Sequence, residues 1–155
     1  MKITRVRVGD GNDSIVVIRD LSDLSGGRTL DMSGWTGKEV RAGHIIIKKA
    51  NGDYAPLGVE SSAYVDLSTG EEYAGVLKKS VTKKDPRAAI ITSGIVNYKA
   101  LPYEIDDTIA AGLKDILFAG YVSGEEPGPT PPTPTKSPMY LEALEAGSTV
   151  AFVYN

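Results

Sequence analysis

Apolar positions in this chain come in short, β-branched runs cut by glycine, proline and charge. The clearest case is residues 71–101, EEYAGVLKKSVTKKDPRAAIITSGIVNYKAL. An apolar run, YAGVL at 73–77, is followed by a wet basic connection that ends at Pro86. A second run, AAIIT at 88–92, breaks at Ser93-Gly94 and resumes as IVNY at 95–98. Two such runs on either side of a charged, proline-stopped connection predict paired strands. Gly94 inside the returning run predicts a bulge or a close backbone approach.

The same reading extends to both sides. Residues 2–8, KITRVRV, alternate as a strand with one charged face. A glycine- and aspartate-rich turn follows at 9–13. The unbroken run Ile15-Val16-Val17-Ile18 predicts a strand at 14–19, buried on both faces or at a subunit contact. Residues 20–43 are glycine-rich and read as a loop with a short extended piece at 29–32. Residues 44–57 form a hairpin motif, HIIIKK and DYAPL around Asn51-Gly52. Asn-Gly suits the positive φ angles of a type I′ turn, and Pro56 places the second strand at an edge. A short strand is expected at 63–65. Ile105, Ile109, Leu113, Ile116 and Leu117 share one helical face. They predict a single amphipathic helix over 106–119, capped by Asp106 or Asp107 and ended by Gly120. The fold class is mainly β (α+β): a small sandwich- or barrel-like domain over 1–122 with one packed helix.

The pattern then changes. Residues 123–138, SGEEPGPTPPTPTKSP, hold six of the nine prolines and read as an extended polyproline linker. Residues 139–146 favour helix. Val150, Phe152 and Tyr154 then alternate with Thr149, Ala151 and Val153 as a strand. Residues 139–155 are too few for a core of their own, so they either return to their own domain or dock on another chain; the long spacer favours docking, where an exposed strand can add to a free sheet edge.

Composition changes this picture little. Apolar residues make up 41% and charged residues 24%, ordinary for a globular chain, and the net charge of −3 argues for neither nucleic-acid nor membrane binding. The charge is uneven, however. Residues 1–100 carry 15 basic and 12 acidic side chains, and residues 101–155 carry 2 and 8. The acidic end is available to a basic surface on a partner or a neighbouring copy. No continuous apolar run follows the positive start, which predicts synthesis in a cytoplasm without a secretory leader.

Candidate chemistry is sparse. The chain has one histidine and no cysteine, which removes most nucleophile–base arrangements and every thiolate metal site. His44, at the start of an apolar strand, reads as a structural group. Asp106-Asp107 reads as a helix cap and Glu71-Glu72 as a turn. Asp10-Gly11-Asn12-Asp13 lacks the spaced acids of a calcium loop. No cofactor, metal or enzymatic activity is expected. Lys78, Lys79, Lys83, Lys84 and Arg87 form the basic cluster, a solvated tip or a contact for an acidic partner. Trp35, the single tryptophan, either plugs the core or anchors an interface. Val150, Phe152 and Tyr154 complete the candidate contact residues.

The order YAGVL, basic connection, short strand, SGIVNYKALPY and amphipathic segment resembles the head-fibre and head-decoration proteins of tailed bacteriophages, over about residues 1–122. The resemblance implies a small β-rich auxiliary protein on the capsid exterior, often trimeric, partnered by the major capsid protein. Nucleic acid and membrane are not among the implied partners. The alternative is an adhesion module for a carbohydrate or protein, with Trp35, Tyr54, Tyr64, Tyr73, Tyr98 and Tyr103 as stacking rings.

Overall fold

The computed structural model describes residues 13–124, which belong to the unit Met1–Gly124. The strand expected at 2–8, the linker from residue 125 onward and the tail with Val150, Phe152 and Tyr154 lie outside the described residues.

In chain order the elements are α1 (Asp13–Val16), β1 (Val17–Asp23), β2 (Arg28–Thr29), β3 (Glu39–Val40), β4 (Ile45–Lys48), β5 (Tyr54–Pro56), β6 (Val59–Glu60) and β7 (Ala63–Tyr64). There follow β8 (Glu72–Leu77), β9 (Val81–Thr82), β10 (Arg87–Ala88), β11 (Ile90–Asn97), a 3-10 turn (Tyr98–Ala100), α2 (Asp107–Gly112) and β12 (Ile116–Ala119). The domain is mainly β. Its main sheet runs β1-β11-β8-β4-β5, with β12 added in parallel to β11. β1 lies along one side of β11. On the other side β8 takes Ile90 and Ile91, and β12 takes residues 94–97.

The strand pair expected around the basic connection is present, with Ile90 opposite Leu77 and Ile91 opposite Val76. The connection itself is not a plain turn. Its Val81 is buried, and β9 and β10 pair with β3 and β2 as two small ribbons. The sheet is covered on both faces because its central strands alternate between two cores. Ile45, Ile47, Val76 and Val96 pack with Ile105, Ile109, Leu113 and Phe118. Ile46, Leu77 and Ile90 pack with Leu30, Met32, Val40 and Val81. Successive side chains of a strand point to opposite faces, so the Ile45-Ile46-Ile47 run feeds both layers.

Three expectations are corrected. The 44–57 hairpin forms, with Pro56 on the edge strand β5, but its turn is not type I′. Gly52 alone has positive φ (+91°), its N–H donates to Lys49 O, and Lys49 N–H donates to Asp53 O. This is the three-residue hairpin in which a turn is followed by a left-handed glycine. Second, the run at 15–18 is not a doubly buried strand. Val16 is buried at the end of one helical turn, whereas Ile15 and Ile18 are more than half exposed.

Third, the helix over 106–119 ends at Gly112. The Asp106 cap is as expected, with its carboxylate accepting from Ile109 N–H at 2.8 Å. Past Leu113 the chain turns, and residues 116–119 become β12, where Ile116 and Phe118 are buried and Leu117 is 63% exposed. Offsets of 4, 8 and 11 satisfied a helix, but Ile-Leu-Phe also satisfies a strand. The parallel place beside β11 decided between them, reached by the crossover through α2. Gly112 lets α2 press against the Tyr73 ring, in space a Cβ would fill.

Gly94 carries the close approach expected of it. It has φ +156°, and a Cβ there would run into the Arg19 carbonyl oxygen of β1. We expect Gly94→Val to cost about 1–3 kcal/mol, the lower part of what such a clash can do, because β1 is an edge strand and can move. Urea unfolding at wild-type stability would show that this backbone angle is not required.

Candidate interaction surface

The basic residues adjacent in sequence are dispersed by the fold. Lys78 forms an ion pair with Asp20 of β1, and this bond raises the pKa of its ammonium. Arg87 holds Asp85 through two bonds, Nε to Oδ1 at 2.7 Å and a second guanidinium nitrogen to Oδ2 at 3.0 Å. That bidentate contact depresses the Asp85 carboxyl. Lys79 is exposed beside β1, in a groove that Ile18 and Asp20 also line.

Lys83 and Lys84 sit elsewhere, at the tip of the β3–β9 ribbon. The register Val40 to Val81 and Glu39 to Thr82 carries the ribbon outward. Lys83 N–H then donates to Lys38 O at 3.2 Å, which brings in a third lysine. Asp85 N–H returns to Thr82 O at 3.1 Å and closes the turn. The resulting groove holds about 800 Å³ and is lined by Thr36, Gly37, Lys38, Thr82, Lys83, Lys84 and Asp85. Asp85 is engaged by Arg87. Among the described residues, no carboxylate lies within ion-pair distance of Lys38, Lys83 or Lys84. The groove therefore presents three uncompensated positive charges on a partly apolar floor. Sequence reasoning missed Lys38, which lies more than 40 residues before Lys83. The alternation in KEV at 38–40 was the available signal, and no strand was read there.

Trp35 is half-buried and packs against the Leu30–Met32–Val40 layer, the plugging role of its two readings. Its indole N–H donates to Glu39 O at 2.9 Å, and its ring meets His44 edge-on at 4.9 Å. Tyr64 and Tyr103 also meet His44 edge-on, at 5.1 and 5.7 Å. His44 is buried, with Nε2 2.9 Å from Leu57 O, so Nε2 carries the proton and donates. Its Nδ1 has no partner among the described residues. Burial holds this imidazole down at about pKa 4. Tyr64 accepts from Ile45 N–H at 3.2 Å, and burial pushes its phenol above the ordinary tyrosine range. The group packs around the buried His44, with Trp35 and Tyr103 only partly buried.

The acidic pairs serve the fold. Glu71 accepts from Ser68 N–H at 2.9 Å in a turn. Asp107 accepts from Tyr121 O–H at 2.5 Å and from Gly124 N–H at 3.2 Å, which raises the Tyr121 phenol to about 12. Asp13 accepts from Ser80 N–H and Oγ–H, tying α1 to the chain before β9. Among the described residues no three metal-ligating side chains gather. Compared with protein-family models, curated proteins and solved structures, the chain has no match.

Proposed function

We propose that this chain is a structural virion protein that decorates or anchors to the outer surface of a tailed-phage capsid, in contact with the major capsid protein. One observation carries the reading: the groove at the β3–β9 tip, where Lys38, Lys83 and Lys84 face solvent with no carboxylate in ion-pair distance among the described residues. A surface of this kind recognises an acidic patch on a partner and steers it electrostatically. The small β-rich domain agrees with what the sequence resemblance implies. Of the six rings named for carbohydrate stacking, Trp35, Tyr64 and Tyr103 form T-shaped contacts with the buried His44 instead of a shared open platform.

The test is co-sedimentation of the full chain with purified heads of tailed phages grown on the source host. Saturable binding is expected, and it weakens as salt shortens the screening length to a few ångströms. Reversing Lys38, Lys83 and Lys84 to glutamate should weaken it by about ten-fold or more. No binding to any head, or equal binding by the charge-reversed variant, would count against the proposal.

A further inference from the structure

Two of the outer strands of the main sheet, β5 and β1, are treated differently. At β5 the edge is covered: Leu30 bridges Tyr54, and Asp31 N–H donates to Tyr54 O at 2.7 Å. Asp31 also takes Lys49 Nζ at 2.7 Å, which holds its carboxyl well below the usual range. At β1, among the described residues, no strand pairs with the outer side. Six of its seven residues are exposed, and a groove of about 510 Å³ beside it is lined by Val17, Ile18, Asp20 and Lys79 among others.

The register of β1 on β11 slips three times, after Val17, Asp20 and Ser22; the first two slips leave Ile18 and Leu21 as extra residues in bulges of β1, and the third leaves Thr92 extra on β11. A bulge re-aims its side chain, and edge strands ordinarily use bulges and charges to refuse partners. Here the two bulged residues are large and apolar, and they are 58% and 61% exposed. In the same row across the sheet, Arg19 faces Ile95 of β11, and Ile95 faces the exposed Leu117 of β12. An edge that displays isoleucine and leucine at its bulges is one that something covers.

The sequence of the edge says what. Residues 18–24 read Ile-Arg-Asp-Leu-Ser-Asp-Leu. Turned antiparallel about Leu21, residues 19–23 match themselves: Leu21 meets Leu21, and Arg19 meets Asp23 twice, while Leu24 turns into the second core layer. Arg19 and Asp23 make no ion pair among the described residues. Self-complementarity of this kind is what a two-fold interface requires, because each side must be its own partner.

We infer that the exposed β1 edge is the seam of a homodimer, in which a second copy of this chain packs antiparallel across Leu21 with Arg19 of each copy opposite Asp23 of the other. The seam lies apart from the lysine groove, so it does not depend on the virion reading. It makes dimers and even-numbered assemblies, not the trimer that the sequence resemblance implies.

Sedimentation velocity on the full chain tests it. The wild type should be a dimer at about 100 μM. Leu21→Asp should be monomeric at that concentration. Arg19→Asp and Asp23→Arg should each weaken association by about ten-fold, and the two combined in one chain should restore it. These residues are exposed, so the variants keep the fold. A wild-type monomer or trimer would overturn the seam. So would a dimer untouched by Leu21→Asp, or a double charge reversal weaker than either single one.

Discussion

Gly75→Ala is expected to unfold the domain, or to leave it so unstable that cooperative melting is lost near room temperature. Gly75 sits in β8 with φ +155°, opposite Ile46 of β4. A Cβ on it would run into the Ile91 carbonyl oxygen and lie 2.8 Å from Ile90 Cγ2. The first of these is backbone and cannot rotate away. Unlike the Gly94 contact at the edge, this one lies between two central strands. Separating them breaks the Ile90–Leu77 and Ile91–Val76 pairs and opens both core layers, where these four side chains are fully buried. Strain and lost packing together should cost about 3–5 kcal/mol, against a total of about 5–15 kcal/mol for an ordinary domain. Urea unfolding followed by Trp35 fluorescence reads this directly. A midpoint near that of the wild type would mean that β8 and β11 can part without opening the core.

The second large effect is acid destabilisation through His44. Burial depresses its pKa from 6.5 in the unfolded chain to about 4 in the fold, only partly offset by its bond to Leu57 O. The unfolded chain therefore takes up a proton below pH 6.5, while the folded one refuses it until about pH 4. Stability from this group is complete above 6.5 and is lost as pH falls through that window, by about 3 kcal/mol in all. His44 is the only histidine, so the histidine contribution is assignable. Asp31 and Asp85 act later: their carboxyls are depressed by Lys49 and Arg87, and their stabilisation disappears only as pH falls below the ordinary carboxylate range. His44→Gln keeps a donor toward Leu57 O and cannot titrate. Its unfolding free energy should be nearly flat between pH 7 and 4.5, where the wild type declines steeply. Equal declines in both would assign the acid sensitivity to other groups.

Local chemistry was readable wherever a short stretch had one low-energy answer. Asp106 caps because a side-chain acceptor before a helix has free N–H groups within reach. Asn51-Gly52 turns because glycine tolerates positive φ, although the turn type depended on one further residue in the loop. The β8–β11 pairing followed from two β-branched runs with a polar break between them. Gly94 was visible as an interruption, but Gly75 was not singled out in the same way, because the clash that makes it obligatory comes from Ile91, 16 residues away.

What the tertiary structure alone decided is which of several equally apolar runs went inside. Ile15-Val16-Val17-Ile18 and Ile45-Ile46-Ile47 look alike in sequence. The second is buried on both faces because a core layer packs over each face of β4, while in the first only Val16 is buried, at the end of α1, and Val17-Ile18 open the edge strand β1. The same holds for residues 113–119, whose spacing suited helix and strand alike until β11 offered a ladder. It holds too for the basic residues Lys78, Lys83 and Arg87, which are close in sequence but which Asp20, Lys38 and Asp85 draw to different places. By itself, the sequence determined turns, caps and the mainly β character, since those depend on composition and on neighbours a few residues away. Burial, edge and charge pairing were settled only by contacts between distant segments, which no local pattern contains.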